Sequence, residues 1–232
     1  MLRHSVLWIL RDPLDAASKL QMLQRLAYLG TEPPMVRSGD YGADLFGGTE
    51  PLHRVPPWER PPLWRRKGDD GPPSNFDLAL HLDYEDWDAF RAYAVDPTHN
   101  AASASNEVTA FDEFTARVDW YYEGDVPPTR EGRVKHAAMF IWKDEASQGE
   151  RAAAIAGVEN LAGSDGVERA LVGHNVGKST TAYDWIMDLE LPDPDAAKSF
   201  LDGSAYREAM KAVAAVTKYE WTARLSHVMH RP

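Results

Sequence analysis

The sequence predicts an α+β fold in which two copies of a β-α-β-β-α-β unit stand in tandem and pair their antiparallel sheets into one barrel. Two observations predict it. The first is an internal repeat with a fixed register. Phe76-Asp77 matches Tyr183-Asp184, Tyr93 falls on Phe200, His99 on Tyr206, and Glu113 to Val118 on Glu220 to Leu225, each 107 residues apart. Leu2-Arg3-His4 matches Val134-Lys135-His136, and Arg11-Asp12 matches Lys143-Asp144, at a separation of 132, so copy one carries about 25 extra residues between its second and third elements. Self-similarity at a fixed period makes each copy one structural unit. The second observation is the order of strand and helix periods, which is the same in both copies.

Each element has its own signal. Leu2 to Leu10 is apolar on both faces, with Val6, Trp8 and Leu10 on one and Leu7 and Ile9 on the other, as a central strand covered on both sides requires. Asp15 to Leu29 sets Leu20, Leu23, Leu26, Ala27 and Leu29 close to one helical stripe. Met35 to Gly42 is a weaker strand. Ala43 to Ser74 holds seven prolines, two tryptophans (Trp58 and Trp64) and the basic cluster Arg65, Arg66 and Lys67, so extended polyproline-type chain replaces regular structure there.

Phe76, Leu78, Leu80 and Leu82 alternate with Asp77, Ala79, His81 and Asp83, the period of a strand with one apolar face, and Asp83 to Asp86 is expected to turn the chain. Trp87, Phe90 and Ala94 then follow at helical spacing. Asp96-Pro97 breaks that helix, because proline lacks a backbone donor and disfavours helical geometry in the residue before it. The helix resumes over 100–110, and Glu113 to Trp120 reads as the last strand of the copy. Copy two repeats the order with strands at 134–142, 167–174, 182–191 and 219–228, a helix at 148–162 and a broken helix at 194–216. The units thus span 1–124, with the insert at about 43–74, and 133–232, joined by a linker at 125–132. With right-handed crossovers each unit becomes a four-stranded antiparallel sheet with both helices on one face, the ferredoxin-like arrangement. The other face of each sheet is also apolar, and the second copy is its natural cover.

Composition excludes several function classes. A net charge of -11 opposes nucleic-acid and anionic-membrane partners, which need basic surface. The chain has no cysteine, which removes disulfides, thiolate catalysis and thiolate metal sites. Residues 1–10 do not read as a signal peptide, and no apolar run is long enough to span a bilayer, so a soluble, cytoplasmic protein is expected. No dinucleotide fingerprint, phosphate loop or zinc-protease motif is present; Gly173 to Ser179 ends like a phosphate loop but lacks its first glycine at the required spacing. His227 and His230 have no third ligand at metal spacing, so no zinc site is expected from them.

Leu2-Arg3-His4 at the start, Arg11-Asp12 closing the first strand, and Asp96-Pro97-Thr98-His99 after Tyr93 resemble the stress-responsive dimeric α/β-barrel (Dabb) family. The resemblance covers both copies apart from the insert and the linker. It implies a family dimer fused into one polypeptide, with a homodimer of the fused chain as a further oligomeric state. Among the members it is similar to those of the olivetolic acid cyclase type, which close a linear polyketide by aldol chemistry without a cofactor. Their catalytic tyrosine and histidine correspond to Tyr93 and His99, and their first-strand histidine to His4. A further pocket histidine of those members is replaced by Leu78, with Asp77 and His81 nearby.

The pair has a chemical logic of its own. An imidazole with a reference pKa of about 6.5 can take a proton from carbon next to a carbonyl, and a tyrosine hydroxyl can hold the enolate oxygen. Such a pair serves cyclisation, isomerisation or carbon-carbon cleavage with no metal and no cofactor. The structural alternative is that His99 caps the helix or pairs with Asp96 while Tyr93 packs beneath it. His4 and His136 recur in both copies, which favours a hydrogen bond to a neighbouring strand or carboxylate. His4, Asp77, His81, Trp58 and Trp64 are the candidate substrate-binding residues, the tryptophans as a lid or wall. The resemblance to the wider barrel superfamily, which includes haem-dependent relatives, implies haem chemistry with His174 as axial ligand as a third option; His174 alternatively serves a second pocket with Asp184. Copy two has no imidazole at Tyr206. The expectation is therefore an enzyme of the cyclase, lyase or isomerase class with copy one active on a small carbonyl substrate; the alternative is a non-catalytic stress-response or ligand-binding barrel.

Overall fold

The computed structural model describes residues 1–11, 16–46, 75–124, 130–177 and 183–232. The proline-rich segment with His53, Trp58 and Trp64, the linker's central residues 125–129, and the end of the loop after Gly177 lie outside them. Repeat one runs β1 (Leu2–Trp8), α1 (Ala16–Thr31), β2 (Val36–Ala43), β3 (Leu78–Tyr84), α2 (Trp87–Ala94), α3 (Pro97–Thr109) and β4 (Ala116–Tyr121). Repeat two runs β5 (Val134–Phe140), α4 (Gln148–Glu159), β6 (Arg169–His174), β7 (Trp185–Leu191), α5 (Pro194–Leu201), α6 (Ser204–Val216) and β8 (Ala223–Val228). Both sheets are antiparallel, in the orders β2-β3-β1-β4 and β6-β7-β5-β8. The chain is thus two ferredoxin-like units with the same topology.

The central strands β1, β3, β5 and β7 are buried on both faces because each face has its own cover. Even-numbered residues of β1 and β3, such as Val6, Leu80 and Leu82, pack under the helices with Met22, Leu26, Phe90 and Tyr93. The odd-numbered Leu7 and Ala79 join Val118, Trp120, Ala137, Met139, Ile186 and Leu225 between the two sheets. A third core, around Phe140, Trp185, Phe200 and Val213, fills the helix side of repeat two.

Backbone bridges close the sandwich at both edges. Tyr41 on β2 exchanges hydrogen bonds of 3.1 Å with His230 beyond β8, and the Leu45 amide donates to the Ser226 carbonyl at 2.8 Å. At the other edge the Val176 amide donates to the Asp119 carbonyl of β4 at 2.8 Å, and Trp120 bridges to Asn175. Pairing the edges removes the open strands that would otherwise template aggregation.

Several expected boundaries move by a few residues, and at two places the cause is visible. β3 continues through Asp83 and Tyr84, where a turn was expected, because Asp83 points between the sheets onto Arg3 instead of into solvent. The last strands start later than expected, at Ala116 and Ala223, since residues 112–114 and 219–221 form single 3-10 turns. The break at Asp96-Pro97 divides the helix into α2 and α3: the Asp96 carboxylate accepts from the Thr98 amide at 2.7 Å, and Pro97 sits where its missing N–H costs nothing.

Candidate active site

Tyr93 reaches its place by helix periodicity. It lies one turn after Phe90 on the buried side of α2, and only 1 % of it is exposed. His99 lies in the first turn of α3, and the break between the helices folds its ring back onto Tyr93, with ring centroids 4.5 Å apart. The phenol and imidazole that stand six residues apart in sequence are in contact. Tyr84, the last residue of β3, packs on Tyr93 at 5.2 Å, and Phe90 completes the aromatic wall against His4 at 5.0 Å.

His4 faces the same side from β1. Its Nδ1 lies 2.5 Å from Oδ1 of Asp119, the cross-strand neighbour on β4, and a carboxylate in that position accepts the Nδ1 proton. Asp119 is fully buried and thereby orients the imidazole. It joins the candidate site, and motif reading did not single it out. The signal was nonetheless present, since the 107-residue register runs one step past Val118 and sets Asp119 opposite Ser226.

The electrostatics separate the roles of Tyr93 and His99. Burial holds the Tyr93 hydroxyl well above the usual tyrosine range, so it stays protonated and can donate. Burial, then the neighbouring His4, lowers the His99 pKa, so its imidazole is neutral near pH 7. The positive end of α3 acts in the same sense. Nδ1 of His99 is buried and makes no hydrogen bond. One neutral base with an uncommitted ring nitrogen thus stands beside one protonated phenol.

The corresponding place in repeat two is closed. His136 matches His4, and its Nδ1 bonds to Ser226 at 2.7 Å while its Nε2 bonds to Tyr206, the counterpart of His99, at 2.8 Å. Both ring nitrogens are satisfied. Burial, then the Arg224 charge, pulls the His136 pKa down to about 3, which leaves a neutral histidine locked in a core.

The other candidate residues lie elsewhere. Asp77 uses Oδ2 to accept from the Leu10 amide at 2.8 Å, as its counterpart Asp184 accepts from the Trp142 amide at 2.7 Å, so each carboxylate ties a strand end in its own repeat. His81 alternates with the leucines of β3 and faces between the sheets, where Ser5 meets its Nδ1 at 2.9 Å; the sheet separates it from Tyr93. His174 is exposed at the end of β6. Trp58 and Trp64 are outside the described residues. A cavity of about 390 Å³ opens between α1, β2 and β8, walled by Leu20, Leu23, Tyr41, Leu45 and Val228, with His230 at its side. It lacks the buried, uncommitted base beside a protonated phenol that the Tyr93 and His99 cluster has.

No family model matches the chain, and no curated protein does. Solved structures match over its whole length. An anthrone oxidase-like protein superposes with a TM-score of 0.65 at 10 % identity, covering 100 % of this chain and 92 % of its own. A monooxygenase candidate from Fusobacterium nucleatum gives 0.56 at 12 % identity, covering 98 % and 91 %. A chlorite dismutase candidate gives 0.52 at 11 % identity, covering 99 % and 94 %. The likeness at these identities is one of fold: a barrel of two ferredoxin-like units.

Proposed function

We propose that this protein is a cofactor-independent enzyme of the Dabb type, a cyclase, lyase or isomerase in which repeat one acts on a small aromatic or polyketide-like carbonyl compound. One observation carries the reading. His99 and Tyr93 are in contact in repeat one with Nδ1 of His99 uncommitted, whereas the same position in repeat two is sealed by the bond between Tyr206 and His136. A barrel with a purely structural role has no use for that asymmetry.

In this mechanism neutral His99 removes a proton from carbon next to the substrate carbonyl, and the Tyr93 hydroxyl donates a hydrogen bond to the oxygen on which charge develops. The carbanion then attacks a second carbonyl, is reprotonated elsewhere, or follows bond cleavage in the reverse sense. Asp119 holds His4 in position beside His99. The apolar wall of Phe90 and Tyr84 suits a flat aromatic substrate. An anthrone is itself an aromatic ketone, which makes the anthrone oxidase-like neighbour compatible with this substrate class. The cytoplasm is the proposed compartment.

The test is a native mass-spectrometry and turnover screen of aromatic and β-keto acids on the wild type, His99→Ala and Tyr93→Phe. His99→Ala is expected to bind the retained ligand and to lose turnover by about 10²–10⁴-fold, the usual worth of a general base. Tyr93→Phe should lose about 10²–10³-fold, as removal of one oxyanion donor does. Variants that match the wild type in binding and turnover would replace this reading with a ligand-binding barrel.

A further inference from the structure

The space between the sheets holds a second polar constellation, separate from the helix-side site. Arg3 makes a bidentate ion pair with Asp83 at 2.8 and 2.9 Å and reaches Asp188 at 2.7 Å. Lys135, the counterpart of Arg3, bonds Asp40 at 2.6 Å and stands 3.5 Å from Asp188. This linked network contains two cations and three carboxylates, so it is one positive charge short in a region where all five groups are buried. An uncompensated buried charge is costly.

Asp40 is the carboxylate of this network that meets two histidines. Lys135 occupies its Oδ2, and its Oδ1 faces His227 Nε2 at 2.9 Å. His81 lies against the same group, its ring parallel to that of His227 with centroids 5.6 Å apart. One ligand atom from each of Asp40, His81 and His227 lies within 4.8 Å of the others, and all three residues are buried. Nε2 of His81 is fully buried and has no hydrogen-bond partner. Its Nδ1 is held by Ser5 Oγ, which also accepts from the Trp120 indole at 3.1 Å. A histidine anchored through Nδ1 with Nε2 uncommitted has the arrangement that metal-binding imidazoles adopt.

We infer that Asp40, His81 and His227 form a binding site for one first-row divalent cation, held between the sheets and shared by the two repeats. Oδ1 of Asp40 and Nε2 of both histidines are the ligands, and small rotations of the rings bring them to bonds of about 2.0–2.2 Å. Two imidazoles and one carboxylate suit zinc or its transition-metal neighbours better than calcium or magnesium, which prefer oxygen. The cation brings positive charge to Oδ1 of Asp40 while Lys135 keeps Oδ2. Three protein ligands leave room for a water. Because β2 and β3 belong to repeat one and β8 to repeat two, the cation clamps the barrel, and it is taken up as the chain folds.

The full chain, stripped with chelator, unfolded and refolded with either Co²⁺ or Zn²⁺, should retain one equivalent of metal after desalting. Bound Co²⁺ should show ligand-field absorption, and Zn²⁺ should raise the melting temperature. His81→Gln should weaken binding by more than about a hundredfold, while His174→Ala, which removes an exposed histidine, should change nothing. Wild-type crystals grown with Zn²⁺ give an answer that does not depend on any variant folding: an anomalous peak between Asp40, His81 and His227 supports the site. Failure to retain metal, undiminished binding in His81→Gln, loss of binding in His174→Ala, or no peak between the three residues overturns it. None of these readouts depends on turnover at His99.

Discussion

His99 and His136 show how one residue type acquires opposite roles from its neighbours. Both imidazoles are kept neutral chiefly by burial, yet His136 has both nitrogens bonded while His99 has an uncommitted Nδ1. Only His99 keeps a ring nitrogen without a hydrogen-bond partner. Asp119 is the positioning residue of this set, because it fixes His4, whose charge is one cause of the lowered His99 pKa. Asp119→Ala is expected to loosen His4 and let the His99 titration rise toward the ordinary value of about 6.5. Histidine NMR titration reads this without substrate, and an unmoved His99 resonance would remove Asp119 from the site. In the turnover assay the acid limb of kcat/KM should move to higher pH in the same variant.

Among the elements, the repeat register recurs in small structural devices. Asp86 and Asp193, 107 residues apart, cap α2 and α5 by accepting from the Ala89 and Ala196 amides. The capping oxygens satisfy helix donors that would otherwise have no partner. Where the register fails, packing explains the difference. Trp120 of β4 crosses onto β6 at Gly173, and a Cβ on that glycine would stand 2.1 Å from the Trp120 ring. His227 is the counterpart of Trp120 in repeat two, and the smaller ring there leaves the space in which Asp40 and His81 meet it. Gly173→Ala is expected to push Trp120 off its seat and destabilise the barrel by about 1–3 kcal/mol. Chemical denaturation measures this directly; a midpoint equal to the wild type would show that the two edges are not packed this tightly.

For the whole molecule, the unusual feature is a barrel interior that mixes a hydrocarbon core with an ion network linking both repeats. Burial alone would raise the Asp188 carboxyl, but Lys135 and Arg3 outweigh it and hold the group well below the usual carboxylate range. A carboxyl depressed in the fold contributes stability above its unfolded pKa of about 3.9 and loses it as pH falls further. His136, depressed to about 3, acts in the same direction from a higher start: its contribution is complete above about pH 6.5 and declines as pH falls toward 3. The melting temperature should therefore be flat between about pH 7 and 9 and drop between about pH 6.5 and 3, with a shallower slope in His136→Gln. A flat profile across that window would mean that His136 is reached by water and titrates normally.

Much of this was legible in the chain because it depends on local periods. Strand alternation in 76–82, the helical spacing of Trp87, Phe90 and Ala94, the break at Asp96-Pro97 and the 107-residue register are properties of neighbours in sequence, and they determined the element order, the ferredoxin-like topology and the pairing of two sheets. The same spacing nominated Tyr93 and His99 together, since a helix break carries its own signal. What depended on strand pairing was not legible. Asp83 reads as a turn residue until Arg3 lies opposite it on β1, and Asp119 reads as an ordinary polar position until β4 sets it beside His4. His227 has no third ligand at metal spacing in sequence. The tertiary structure supplies Asp40 and His81 from 187 and 146 residues away, because closing the barrel places β8 against β2 and turns the inner faces of both repeats toward one another.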